Sequence, residues 1–459
     1  MAQTETRQEN KMGVEPIGKL LLTMSTPMMI SMMVQALYNI VDSIFVAMLS
    51  EDALTAVSLA FPIQNLMIAF GVGTGVGVNA LVSRHLGEKN FKRANSVAVH
   101  GLRLAAMHYI IFAVLILLLV RPFFAVQTTD ETIASYGVTY TSIVGVLGIG
   151  MFAQTMLEKI LTSTGKTFYT MITQLAGAIT NIIMDPVLIF GLGPFPKMGI
   201  AGAAAATIFG QLLGSGLAVY FNVYKNKELQ LSLKENPFSL EIVRSIYGVG
   251  IPSIFMSAVG SVMTFGLNKI LVAFSSTAVA VFGVYFKLQS FAFMPVFGLN
   301  NGMMPIIAYN YGAAKPERIM RTIRIATCAA VGLMWMCFLI FQIFPSQLLT
   351  LFSASDNMMS IGVPALRIIS THYLVAGVSV ISISICQAMR HAPFGLIVSI
   401  SRQLFVLLPV AFVLSRFGNV NLVWWAFPIA EVVSVILCLC FVQYVLKTEV
   451  KPLFHNKEP

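Results

Sequence analysis

The chain has 459 residues, 57% of them hydrophobic and only 10% charged, with a mean hydropathy of +0.82. Soluble domains carry roughly 25% charged residues, so a water-soluble fold is excluded. The net charge of +10 does not indicate nucleic acid, because the basic residues are scattered over short loops between apolar runs.

Residues 1–19 are polar and mixed in charge and form a cytoplasmic N-terminal tail. No apolar region there precedes a cleavage site, so no signal peptide is expected to be removed. Apolar runs long enough to cross a bilayer, about 20 residues each, then recur to the end of the chain. They predict spans near 20–48, 56–83, 95–120, 132–157, 168–190 and 199–223, an N-terminal half covering 20–223. The polar stretch 224–241, with Lys225, Lys227, Lys234 and Pro237, reads as a cytoplasmic linker. Six more spans follow near 244–273, 278–308, 322–345, 362–387, 394–415 and 420–446. They make a second half over 242–446 and leave 447–459 as a cytoplasmic C-terminal tail.

The two halves are copies of one pattern. Shifted by about 225 residues, Pro27 falls on Pro252, Gln64 on Gln289, Gly73 on Gly298, Gly77 on Gly302, Gly87 on Gly312 and Arg93 on Arg318. Such repeats are typical of secondary transporters. With the N-terminus inside, one face collects most basic residues, among them Lys19, Arg84, Arg93, Arg103, Lys159, Lys225, Arg318, Arg390, Arg402 and Lys447. The other receives Arg121, Lys197 and Arg416, with Arg367 close by. This bias places both termini in the cytoplasm. Six spans is an even number, so both halves enter the membrane in the same direction. The expected fold is an all-α integral membrane protein: twelve transmembrane helices in two six-helix lobes, related by a pseudo-twofold axis along the membrane normal.

Ionisable groups inside a bilayer default to function. Asp42 shares a helix face with Tyr38, one turn earlier, and Asp185 follows Asn181 at the same spacing, just before Pro186. Two carboxylates, a carboxamide and a phenol suit a proton relay or cation site. Glu158 next to Lys159 reads as an interfacial ion pair, or as the anchor of a cationic substrate. Glu431, deep in the last span, is a second candidate, and Lys287 a weak counter-charge. Lys269 reaches the outer surface by snorkelling. The run Gly71 to Gly77 has no Lys-Ser/Thr after it and lies within a span, so it is a helix-packing motif rather than a phosphate loop. Cys328, Cys337, Cys386, Cys438 and Cys440 all lie in apolar segments and read as core residues. The 26 Met and 33 Phe offer material for an adaptable apolar cavity. Signatures of nucleotide hydrolysis, serine hydrolases and zinc proteases are absent, so the chain is not read as an enzyme, and any pumping must draw on an ion gradient.

The chain resembles the multidrug and toxic-compound extrusion family, and its bacterial branch in particular, over nearly the whole length. The resemblance rests on Ala36 to Val46, Asn181 to Pro186, Gly202 to Thr207 and Tyr309 to Arg318. It implies export of organic cations and other amphipathic drugs in exchange for H+ or Na+, with no cofactor. The family's N-lobe cation site matches Asp42, Asn181, Asp185, Thr207 and the carbonyl of Ala203, with Tyr38 nearby. Na+ or H+ would be taken up there. Pro27 matches a first-helix proline linked to bending. The seventh span lacks Asp and Glu between Pro252 and Ala273, and Gln387-Ala388-Met389-Arg390-His391 follows the tenth. Both departures argue against a C-lobe sodium site. The expected partners are lipophilic cations and membrane lipids, in a monomer within the bacterial inner membrane. A lipid-linked oligosaccharide flippase of the same superfamily is the alternative; it would need a cationic cavity. An intramembrane prenyltransferase would need Asp-rich motifs that the chain lacks.

Overall fold

The computed structural model describes residues 9–352 and 354–455. Among them every regular element is helical. The first half holds α1 (Ile17–Leu49), α2 (Glu51–Gly87), α3 (Phe91–Gln127), the broken span α4 (Glu131–Val146 and Ile149–Ser163), α5 (Thr167–Phe190) and α6 (Ile200–Tyr224). The second holds α7 (Leu240–Val272), α8 (Ser276–Gly312), α9 (Pro316–Ile343), the broken α10 (Asp356–Ser370 and Tyr373–Ala388), α11 (Ala392–Ser415) and α12 (Ala426–Val445). Ten single helices and two pairs bent by 46° and 51° give twelve spans.

Local chemistry repeats with the topology. Ser50 starts α2 by accepting a hydrogen bond from the Ala53 N–H at 3.0 Å, and its repeat mate Ser275 does the same for Ala278 at 3.0 Å. Asn90 caps α3 through the Arg93 N–H. Pro316 opens α9 at the first helical position, where its missing N–H costs nothing. The two bent spans are repeat mates as well.

The lobes meet through α1 on α8 and α2 on α7, where the glycines of the repeat allow backbone to touch backbone. A Cβ on Gly298 would lie 2.5 Å from the Met29 Cα, and one on Gly302 2.8 Å from the Ser25 Cα. Their mates do likewise: a Cβ on Gly73 would lie 2.9 Å from the Ile254 N, and one on Gly77 would overlap the Ile246 carbonyl. Gly87 and Gly312 press on Tyr309 and Arg84 in the same reciprocal manner. Ser25 Oγ adds a hydrogen bond to the Leu299 carbonyl at 3.2 Å. All these contacts fall in the half of the molecule that carries the chain ends. Farther along, past Ala36, α1 buries only Val46.

Side chains on that face tie the lobes crosswise. Arg318 of α9 donates to the carbonyls of Met12 (3.0 Å) and Glu15 (2.7 Å), on the approach to α1, and Asn310 adds a bond to Met12 at 2.9 Å. Across the pseudo-twofold, Arg103 of α3 donates to the carbonyls of Leu233 (3.1 Å) and Asn236 (2.6 Å), on the approach to α7. Arg93, the mate of Arg318, pairs with Glu241. Each lobe thus grips the strap that leads into the other.

Three sequence expectations change. Within the expected N-terminal tail, Lys11–Val14 is a docked helical turn and α1 already begins at Ile17. The C-terminal tail stays helical to His455 and packs back, with Glu449 accepting from Tyr311 and meeting His391 at 3.0 Å. Not every cysteine is in the core: Cys386 and Cys438 are buried, whereas Cys328 and Cys440 are exposed on the apolar surface.

Candidate functional site

The site begins with small residues. Gly177 of α5 and Gly210 of α6 face each other, so that a Cβ on Gly210 would lie 2.6 Å from the Gly177 carbonyl oxygen. Gly202 sits as closely on Leu188. This close approach sets Asn181 beside Thr207. With its amide oriented to satisfy both neighbours, Asn181 donates to Asp185 Oδ2 at 3.1 Å and accepts from the Thr207 N–H at 3.1 Å. Thr207 Oγ1 donates to the Ala203 carbonyl at 3.2 Å. From α1, the Asp42 carboxyl comes close beside that of Asp185. Asp185 is fully buried, and each acid keeps one oxygen, Oδ1, without a partner.

The structure therefore brings Asp42, Asn181, Asp185, Thr207 and Ala203 together, with Tyr38 one turn along α1. It adds two residues that sequence reasoning missed. Tyr140 of α4 is buried close enough to both acids to feel their charge, and it accepts a hydrogen bond from Gln64 at 3.2 Å. Gln64 had shown itself only as a repeat mate of Gln289, and nothing in the sequence set Tyr140 apart. The oxygen set of two carboxyls, a carboxamide, a hydroxyl and a carbonyl suits a hard monovalent cation or a proton.

A cavity of about 320 Å³ opens from this cluster and runs between α1, α2, α4, α5 and α6 to Asn301 of α8. Its lining keeps the expected Met and apolar surface but not the Phe. Met28, Met32 and Met151 line it, but no Phe does, and much of the wall is amide, hydroxyl or carboxylate. The Phe side chains serve the lobe cores and the outer surface instead.

Glu158 is corrected too. Its carboxylate is buried and held by three neutral donors: Gln154 (2.9 Å), Thr173 (2.8 Å) and Gln174 (2.8 Å). Lys159 makes no ion pair with it. Successive helix residues point about 100° apart, and the Lys159 ammonium reaches across the lobe interface to Asn301 Oδ1 at 3.0 Å. Gly75 makes room for its stem, since a Cβ there would lie 2.7 Å from Lys159 Cγ. Glu158 thus faces the cavity, not an interface. Gln154, one turn before it, and Gln174 were the readable signals at i,i+4 spacing and on the polar side of α5.

Glu431 does not line this cavity. It lies buried in the C-lobe, paired with Arg402 at 3.1 Å. Arg402 lies on α11, within a π-helical stretch, Ser401–Leu407, that packs against α12. Lys287 is exposed and also outside the cavity lining, so Glu431's counter-charge comes from Arg402. Pro27 is buried within a continuous α1, next to the cavity residue Met28.

Comparison with known proteins gives a consistent picture. The family model MatE matches residues 27–187 and again 252–413, two copies set apart by the repeat. The chain is 28% identical to a multidrug export protein MepA of Staphylococcus haemolyticus, over 94% of both chains. It is 26% identical to an FAD transporter of Shewanella oneidensis, over 93% of this chain and 95% of that one. Its fold matches an outward-facing multidrug resistance MATE transporter with a TM-score of 0.91 at 24% identity, covering 97% of this chain and all of the other. With both halves matched and the twelve-span fold shared, the chain belongs to the MatE family of membrane transporters.

Proposed function

We propose that the chain is a multidrug efflux antiporter that exports lipophilic cations and takes up protons in exchange. The observation that carries this reading is the placement of two carboxyls, Asp42 of α1 and the fully buried Asp185 of α5, close beside each other. Two carboxylates so placed repel each other unless a proton or another cation is shared between them. Close acids bind and release protons as a unit, so the pair can load on one side of the membrane and unload on the other. Na+ in the same oxygen cluster is the competing coupling ion, and the same assay separates the two.

The conformation supports alternating access. The lobes are closed on the face that bears the chain ends, the face with most of the basic residues. If that face is cytoplasmic, as the charge bias argues, the molecule stands open to the outside, ready to release drug and take up protons. The inner membrane and cytoplasmic termini follow from the same reading. Cargo charge is read from the cavity wall, where Glu158 is held by neutral donors while the Lys159 ammonium on the same wall is hydrogen-bonded to Asn301. A dinucleotide, the cargo in the name of the Shewanella relative, would call for free basic groups. A pyrophosphate-linked lipid would call for the same.

The test is transport in proteoliposomes with ΔpH and ΔNa+ imposed separately. Wild type should accumulate a fluorescent organic cation under ΔpH, and Asp42→Asn and Asp185→Asn should each abolish that accumulation at equal protein content. Acidification should weaken cation binding, because protonation discharges the site. Full coupled transport by both variants would end this reading; dependence on ΔNa+ alone would replace the proton with sodium.

A further inference from the structure

Glu158 is a second acidic centre, separate from the coupling pair. It bonds Gln174, eleven residues before Asp185 on α5, so the two lie about 16 Å apart along the helix at 1.5 Å per residue. Both open on one cavity, Asn181 lining one end and Glu158 the other. Resting on the antiporter reading, we propose that Glu158 determines substrate specificity, selecting cations that carry several N–H donors, such as amidinium and guanidinium groups, over quaternary ones.

The geometry argues this in three steps. First, a buried carboxylate without a direct counter-cation is costly, and among the described residues none forms a salt bridge with Glu158, the adjacent Lys159 acting on it only from farther off. The three neutral donors stabilise its charge without cancelling it. The cation that would otherwise neutralise it, Lys159, is drawn away by Asn301 and seated in the space left by Gly75. Such an arrangement keeps a carboxylate available. A role confined to joining α4 and α5 would need only amides. Second, the unpartnered buried atoms on the cavity wall are Gln174 Oε1 and Gln211 Oε1, which only accept, and Ser31 Oγ, a hydroxyl that accepts as well as donates. A ligand that completes the two amide oxygens must donate hydrogen bonds. Third, charge-assisted N–H bonds to a carboxylate are about twice as strong as neutral ones and directional. A quaternary or phosphonium cation feels only the Coulomb attraction. The cavity volume of about 320 Å³ is at the lower end of small-molecule sites, which suits a flat cation lying with its N–H edge toward Glu158.

The experiment compares two probes on the purified full chain in nanodiscs: 4′,6-diamidino-2-phenylindole, which carries two amidinium groups, and tetraphenylphosphonium, which has no N–H. Glu158→Gln keeps the shape while removing the charge and one acceptor oxygen. It should weaken binding of the diamidine about tenfold more than that of the phosphonium. Gln211→Leu, in a second background, should weaken the diamidine severalfold more than the phosphonium. Proton-driven uptake of phosphonium should vanish in Asp42→Asn, which tests the coupling pair apart from Glu158. Equal losses for both probes, or none for either, would overturn the proposal while leaving the antiporter reading intact; a purely scaffolding Glu158 gives the equal-loss result. If wild type binds neither cation, the antiporter reading falls and this proposal with it.

Discussion

The glycines at the lobe interface offer the sharpest perturbation. Replacing Gly298 with Ala would place a methyl carbon 2.5 Å from both the Cα and the N of Met29 and 2.8 Å from its Cγ. Carbon contacts are comfortable at about 3.5–4.0 Å, so α1 and α8 must part by about 1 Å. Two of the three obstructing atoms are backbone, so a rotamer change cannot relieve the clash. Overpacking of this kind costs about 1–3 kcal/mol. The penalty falls only on the conformation in which these helices touch. A lobe rotation that opens the terminal face removes the contact and escapes it. The closed-to-open ratio should therefore fall by about 5- to 150-fold, at 1.4 kcal/mol per factor of ten. Gly73→Ala, at the repeat mate, clashes with Ile254 Cγ1 at 2.5 Å and its N at 2.9 Å, and should shift the equilibrium in the same direction. Spin labels on the two lobes, placed once on the terminal face and once on the opposite face, would read the populations by pulsed dipolar spectroscopy. The expected result is lengthening on the terminal face with shortening on the other. Unchanged distances in both variants, with normal transport, would refute the reasoning that these contacts exist in one state only.

Other outcomes follow from single contacts. Arg402→Met should strip the buried Glu431 of its partner and cost about 3–5 kcal/mol of stability in thermal or denaturant unfolding; adding Glu431→Leu should recover most of it, and no recovery would mean the pair is not the source. Arg318→Ala should speed amide hydrogen exchange at residues 11–15 about tenfold or more while leaving 233–241 alone, and Arg103→Ala should do the converse. Loosening of both straps by either change would show that they are not separately held. Pro27→Ala restores a backbone donor in the middle of α1, and should leave substrate affinity near normal but slow turnover; unchanged turnover would count against a hinge.

Much of the architecture was legible because bilayer physics is written in composition. Twelve apolar runs, an even number in each half and an offset of about 225 residues determine a two-lobe helical transporter before any contact is known. The glycine matches went further than their packing role suggested: Gly73, Gly77 and Gly87 and their mates are the interface between lobes, because a pseudo-twofold axis sets equivalent residues of both halves against each other. Asp42, Asn181 and Asp185 stood out because charge and amide in a bilayer demand a reason.

What sequence could not decide was which partner each polar group would find. Glu158 and Lys159 are neighbours in the chain and read as a pair, yet both line the cavity with different partners, Glu158 on the neutral donors of α4 and α5 and Lys159 across the lobe interface on Asn301. Arg402 showed no partner in the sequence until α11 and α12 packed together and gave it Glu431. Tyr140 gained its place beside the two acids only through the packing of α4. Hydropathy and periodicity are properties of a segment and survive in one dimension. Charge pairing, the polarity of a cavity wall and the side on which two lobes close depend on the rotation and depth of each helix against its neighbours, and these are fixed only when the whole bundle is packed.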